Sequence, residues 1–315
     1  MNAFEVLPAF ATDLANGNYG RPRAPGTVRA YLADVRQFLT RDQVQDISRV
    51  TLAEIDDFLA QVGGVKYAGR NTARVNRIIA SLRAFFGWAA EQGLIERNPL
   101  AHKHVARPGL RTPVYLESNE VQAFLKAVGD YHALRSRSHP PKTPQQQKRA
   151  EHDLQCDRCL YVFALNTGAR ISEMLSLRLD DVDLNHRTAK VIGKRDRERV
   201  LHLNETTVAA LRTYLHLRPP TSEAFLFVSF NGVQLGVRNL QKKTRRIAAL
   251  AGITKPITPH KLRHTQGTAL LRVTGNLRVV QEALGHQNVA TTEIYTHITA
   301  EEVRSAVERL NFGDD

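Results

Sequence analysis

Between Leu100 and Pro113 the chain loses its apolar rhythm. The stretch holds His102, Lys103, His104, Arg107, Pro108, Gly109, Arg111 and Pro113, while on both sides of it hydrophobic residues recur at helical spacing. A polar, Pro- and Gly-containing interval between two periodic regions joins two cores rather than running through one. The expected organisation is therefore a first domain at 1–99, a linker at 100–113 and a second domain at 114–315. A length of 315 residues agrees with about two domains, and a hydrophobic fraction of 42% suffices for a core in each.

No stretch approaches the roughly 18 uninterrupted apolar residues of a membrane span. The opening MNAFEVLPAF lacks the basic start and apolar run of a secretory signal, and two Cys fit a reducing interior. The expected location is the cytoplasm. The formal charge of +13 points to a polyanionic partner, most simply nucleic acid.

The first domain reads as a small helical bundle. Thr27 precedes Val28, Tyr31, Leu32, Val35, Phe38 and Leu39 at helical spacing. Thr51 and Glu54 form a capping box ahead of Leu52, Ile55, Phe58, Leu59 and Val62. A longer helix follows with Val75, Ile78, Ile79, Leu82, Phe85, Phe86 and Ala89 on one stripe, ended by Asn98-Pro99. Arg70, Arg74, Arg77 and Ser81 share its other face, which suits a row of phosphates or simply water.

The second domain reads as mainly α with a small antiparallel β-sheet. Ser118 is the expected N-cap of a helix burying Val121, Phe124, Leu125 and Val128. From 135 to 155 the chain turns polar, with three Pro and a Gln triplet, and is expected to be an exposed insertion. Ala189–Ile192 and Val200–Leu203 carry strand patterns around a charged turn, and Ala224–Phe230, ahead of Asn231-Gly232, is a third strand candidate. Helices are expected at 207–217, 237–250, 259–273, 277–284 and 301–310.

Several polar groups sit where helix packing does not demand them. Arg170 follows Thr167-Gly168-Ala169, with Glu173 three residues on to hold it. In Thr258-Pro259-His260-Lys261-Leu262-Arg263-His264, Thr258 can cap and Pro259 fits the first helical position. Leu262, Ala269, Leu270 and Val273 form the expected buried stripe there, leaving His260, Arg263, His264 and Gly267 opposite to grip an anion. Leu284-Gly285-His286 follows, then Tyr295 in a Thr-rich segment, then a box of Thr299 and Glu302 before a last amphipathic helix.

Arg170 in TGARISE, His260 and Arg263 in HKLRH, His286 in LGH and Tyr295 in YTH resemble, in order, the signature of the tyrosine recombinase (phage integrase) family. The resemblance spans nearly the whole chain and implies a helical core-binding domain followed by a catalytic domain, in the simpler Xer-like arrangement without a further N-terminal arm-binding domain. It also implies a catalytic Lys on a β-hairpin turn. Lys194 fits that place, with Lys190 and Arg195 as rivals.

The family's chemistry explains the residue types. Tyr295 would attack a scissile phosphate and form a covalent 3′-phosphotyrosyl link. Arg170 and Arg263 would fork onto the non-bridging oxygens, and Lys194 would protonate the departing 5′-oxygen. His260 would help take the tyrosine proton, and His286 would hydrogen-bond the phosphate. The resemblance implies a site-specific recombinase needing neither metal nor cofactor. Its partner would be double-stranded DNA with inverted half-sites, bound by a homotetramer on two duplexes or a hetero-oligomer with a paralogue. The last helix, with Val303, Ala306, Val307 and Leu310, would dock on a neighbour or pack on its own domain. The alternatives are a type IB topoisomerase-like enzyme and a catalytically silent DNA-binding protein on the same fold.

The polar stretch at 135–155 departs from the family pattern. It ends near His152, Cys156 and Cys159, which resemble half a zinc site. Structural zinc takes four ligands, and the second pair is missing unless His132 or His139 folds over, so buried or surface thiols are the favoured reading.

Overall fold

The computed structural model describes residues 3–63, 72–103, 114–193, 198–222 and 224–285. Arg70, Lys194, Arg195, His286, Tyr295, the expected last helix and most of the expected linker lie outside the described residues. The chain divides into two compact units, Met1–Arg111 and Thr112–Asp315. Among the described residues no helix is long and apolar enough to cross a membrane.

The described part of the first unit is helical: α1 (Leu7–Asn16), α2 (Pro25–Arg41), α3 (Leu52–Gly63) and α4 (Thr72–Glu91). The apolar stripes read from the sequence meet in one core. Phe38 of α2 packs edge-on to Phe58 of α3 at 5.2 Å between ring centroids, and Phe85 of α4 packs edge-on to Phe10 of α1 at 5.3 Å. All four rings are fully buried. Each contributes about 2 kcal/mol by leaving water.

The capping box before α3 forms as its residues dictate. The Thr51 N–H donates to Glu54 Oε2 at 2.7 Å, and the Glu54 N–H donates to Thr51 Oγ1 at 3.3 Å. Thr51→Ala is therefore expected to cost the first unit about 1 kcal/mol. For a unit of this size that is a fall in melting temperature of roughly 4–8 °C, readable by calorimetry.

One face of α4 differs from expectation. Ser81 is fully buried and donates to Asp34 Oδ2 of α2 at 2.8 Å, and Arg77 pairs with the same oxygen at 2.7 Å. Asp34 is itself buried, so its carboxylate draws these two donors toward the α2–α4 contact. Of the expected basic row, Arg74 is exposed and Arg77 is half engaged internally.

The second unit starts, among described residues, with α5 (Ser118–Ser138) and α6 (Pro144–Thr167). The N-cap is Glu117, one residue before the expected Ser118, and its N–H donates to Glu120 Oε2 at 2.8 Å. The polar 135–155 stretch is mostly exposed and largely helical. All but a five-residue link, 139–143, belongs to α5 or α6, and Thr143 Oγ1 caps α6 by accepting the Gln146 N–H at 3.2 Å. Its polarity reflects a solvated helical hairpin, from which His152 turns inward against Tyr214 and Phe230.

After α7 (Ile171–Ser176) come β1 (Val182–Asp183), β2 (Thr188–Ile192) and β3 (Glu198–His202), an antiparallel sheet in that order. Ala189 pairs with Leu201 in register, and both are buried with Val191. The third strand candidate, Ala224–Phe230, forms only the isolated bridges Arg178↔Phe225 and Val228↔Gln234. Its backbone is claimed elsewhere: the Tyr214 hydroxyl donates to Leu226 O and accepts from the Val228 N–H, each at 3.0 Å. Helices α8 (Glu205–Leu217), α9 (Val237–Leu250), α10 (Pro259–Thr274) and α11 (Leu277–Leu284) complete the described part.

The face that α10 buries is not the expected one. Leu262 is buried as expected, but Ala269 is exposed and Val273 is 84% exposed, while Arg263, His264, Thr265, Gly267 and Thr268 are buried. The polar side of α10 can face inward because it finds partners there. Thr265 Oγ1 accepts the Leu116 N–H at 2.9 Å and donates to Lys261 O at 3.0 Å. The Arg263 guanidinium reaches two main-chain carbonyls. Apolar count alone misassigns a helix whose buried groups are hydrogen-bonded polar ones.

Candidate active site

The site is built from the ends of helices. α6 stops at Gly168, whose φ of +62° is left-handed and leaves little room for a side chain. A Cβ there would stand 2.7 Å from Gln266 Oε1 and Leu284 Cδ2. The turn so made places Arg170 in extended conformation at the N-cap of α7. Glu173, three residues on, receives the Arg170 N–H on Oε2 at 2.8 Å and the Arg170 Nη1 on Oε1 at 2.5 Å. Glu173 thus bonds both the main chain and the guanidinium of Arg170.

Glu173 has a second cation that sequence reasoning missed. Arg199 of β3 donates Nη2 to Glu173 Oε2 at 2.8 Å. Burial would raise the Glu173 pKa. The Arg170 N–H, the charge and hydrogen bond of Arg199 and the Arg170 side chain outweigh it and hold the carboxyl below its usual range. A signal was present in the sequence: Arg199 is two residues from Leu201, and alternate strand residues share a face.

Arg263, fully buried on α10, donates Nη1 to Gly168 O at 2.7 Å and Nη2 to Leu284 O. Arg170 donates Nη2 to Gly285 O at 3.4 Å. The two arginines singled out from distant motifs therefore meet around the same turn, the one between Gly168 and the end of α11. His260 lies one helical turn before His264, with ring centroids 4.6 Å apart. Partial desolvation, then the cations of Arg263, Lys261 and Arg170, lower its pKa from the usual imidazole value. Of the expected catalytic residues, Arg170, His260 and Arg263 come together. Lys194, His286 and Tyr295 fall outside the described residues.

The zinc half-site does not assemble. Cys156 and Cys159 are buried, and burial pushes both thiols up. His132 Nε2 lies 2.7 Å from Asp157 Oδ2, and Lys243 Nζ lies 2.7 Å from both Asp157 oxygens. Among the described residues no group of three or more His, Cys, Asp or Glu could hold a metal ion.

Comparison with known proteins adds two family matches in chain order: the Phage integrase, N-terminal SAM-like domain over residues 19–93 and the Phage integrase family over residues 144–302. The tyrosine recombinase XerD of Listeria monocytogenes serotype 4b (strain F2365) is 31% identical over 286 residues, 89% of this chain and 90% of that protein. The tyrosine recombinase XerC of Alcanivorax borkumensis is 30% identical over 301 residues, covering 94% and 90%. In fold, the XerH site-specific recombinase in a post-cleavage complex with its palindromic difH substrate matches with a TM-score of 0.71 at 22% identity, over 95% of this chain and 84% of that one. Such identity along nine-tenths of both sequences, with both domain types in order, makes this chain a member of the phage integrase family of tyrosine recombinases, enzymes of site-specific DNA recombination.

Proposed function

We propose that this protein cleaves and rejoins double-stranded DNA through a covalent 3′-phosphotyrosyl intermediate, with Tyr295 as the nucleophile, in integration, excision or resolution. The observation that carries the reading is the meeting of Arg170 and Arg263 beside His260 at the Gly168 turn, two forked cations and an imidazole from motifs about 90 residues apart. Forked donors suit the two non-bridging oxygens of a phosphodiester, whose negative charge is concentrated in the crowded transition state.

In the proposed step the Tyr295 oxygen bonds to phosphorus while the bond to the 5′-oxygen breaks. His260 takes the phenolic proton, Lys194 gives one to the leaving 5′-hydroxyl, and His286 hydrogen-bonds the phosphate. The phosphotyrosyl ester keeps the bond energy, so a 5′-hydroxyl from another strand reseals the DNA without nucleotide hydrolysis, and no metal or cofactor is called for. The partner is DNA with inverted half-sites, as the palindromic substrate of the XerH complex suggests. A homotetramer on two duplexes, or a hetero-oligomer with a paralogue, in the cytoplasm, fits strand exchange. Arg70, Arg74 and Arg77 are proposed to lie along the DNA backbone, Arg77 while keeping its bond to Asp34.

The test is trapping on a nicked duplex carrying the candidate site from the native locus, where loss of the short 5′-ended fragment prevents religation. A protein–DNA band that survives denaturant, with the adduct mapped to the peptide containing Tyr295, is the expected result. Salt-sensitive binding without an adduct would overturn it. The pH dependence is a second expectation. Because the pKa of His260 is depressed, its neutral, proton-accepting form persists below about pH 6.5. Single-turnover cleavage is expected to rise with pH along a limb lying below that value, and His260→Asn is expected to lose the limb along with rate.

A further inference from the structure

Three consecutive carbonyls at the C-terminus of α11 each accept from a different guanidinium. Ala283 O accepts from Arg199 Nη1 at 2.6 Å, Leu284 O from Arg263 Nη2, and Gly285 O from Arg170 Nη2 at 3.4 Å. The last carbonyls of a helix lack intrahelical partners and carry its negative pole, so cations are favoured there. Arg170 and Arg263 belong to the proposed catalytic set. Arg199 does not.

Resting on the recombinase reading, we propose that Arg199 is a positioning residue for cleavage, tying Arg170 and the chain that leads into His286 into one frame. Its guanidinium joins Glu173 Oε2 to the end of α11. Its stem is packed against Gly285, where a Cβ would come within 2.8 Å of Arg199 Cδ, and Gly285 is left-handed at φ +61°.

The effect on Arg170 follows from the carboxylate's needs. Glu173 is 2% exposed, so both its oxygens need donors. Oε2 takes the Arg170 N–H and the Arg199 guanidinium, Oε1 takes Arg170 Nη1, and Arg170 Nη2 is left to extend to Gly285 O. Without Arg199 the buried carboxylate would draw the Arg170 fork onto both oxygens and away from Gly285. The same loss frees the end of α11, two residues before His286 in sequence. It also removes a tie between β3 and the end of α11.

The experiment measures binding and chemistry separately on the nicked duplex. Arg199→Ala is expected to leave Kd within about twofold and to lower the single-turnover cleavage rate at saturating protein on the order of tenfold to a hundredfold, the loss typical of misplaced reacting groups. If Arg199 acts through Glu173, the effect of Arg199→Ala must shrink in a Glu173→Gln background. Arg199→Lys keeps a cation beside Glu173 but cannot reproduce the fork. It is expected to retain the melting temperature while cleaving more slowly than wild type, which separates positioning from folding. Hydrogen exchange of the α11 amides is expected to quicken locally in Arg199→Ala. An unchanged rate, a loss confined to Kd, or full additivity with Glu173→Gln would overturn the proposal. If wild type itself leaves no adduct, the recombinase reading fails, and the exchange measurement still decides whether Arg199 holds α11.

Discussion

Tyr295→Phe is expected to bind the same DNA with unchanged affinity and salt dependence while leaving no denaturant-resistant adduct. The substitution removes one oxygen. It keeps the ring and the charge of the protein, so the phosphate contacts that dominate DNA affinity stay in place. The chemistry has no such margin, because phosphorus receives its new bond from that oxygen and a phenyl ring offers no substitute. The expected loss is therefore complete within detection, larger than the loss of any single stabilising donor, which is typically on the order of a hundredfold to a thousandfold. Gel shift and denaturing electrophoresis on one preparation read both halves. An adduct of normal yield in Tyr295→Phe would move the nucleophile elsewhere. A Kd raised in step with the missing adduct would mean that the phenol had been holding DNA.

Local order was legible in the sequence where one face of an element meets water and the other a core. In the stripe Val28, Tyr31, Leu32, Val35, Phe38 and Leu39, Tyr31 and Leu32 are partly buried and the others fully, and the Thr51–Glu54 box closes with both expected hydrogen bonds. Strands β2 and β3 lie within two residues of the patterned stretches. What escaped were cases in which a polar group has an internal partner. Ser81 and Arg77 share Asp34 from another helix, and α10 buries Arg263 and Thr265 while exposing Val273. Such pairings depend on residues far apart in the chain, so no local periodicity reports them. The candidate site shows the same division. Arg170 with Glu173 is a spacing of three and could be read directly, whereas Arg199 reaches Glu173 across 26 positions and Ala283 across 84. Ala224–Phe230 failed differently: its β-pattern is real, but Tyr214 and Arg218 take the hydrogen bonds a strand partner would use.

Arg263→Lys is expected to slow single-turnover cleavage roughly a hundredfold to a thousandfold, with a smaller effect on stability. Arg263 does two things at once. Inside the protein, Nη1 and Nη2 hold Gly168 O and Leu284 O, fixing the turn that presents Arg170 and the end of the helix that precedes Gly285-His286. Toward substrate, it is one of two forks proposed to hold the scissile phosphate. Lysine keeps the charge but has one nitrogen, so it cannot span both carbonyls and a phosphate oxygen with fixed geometry. Losing part of this hydrogen bonding in a buried position costs about 2 kcal/mol, or roughly 4–8 °C in the melting of a unit of some 200 residues. Arg263→Ala leaves both buried carbonyls short of donors and opens a void, so about 3–5 kcal/mol is expected, enough to leave a marginal unit partly unfolded. The lysine variant is accordingly the informative one. Calorimetry fixes the temperature at which it remains folded, and cleavage is measured there at saturating protein. A rate within about threefold of wild type would show that the fork makes no contact peculiar to the transition state, leaving Arg263 as a brace for the Gly168 turn.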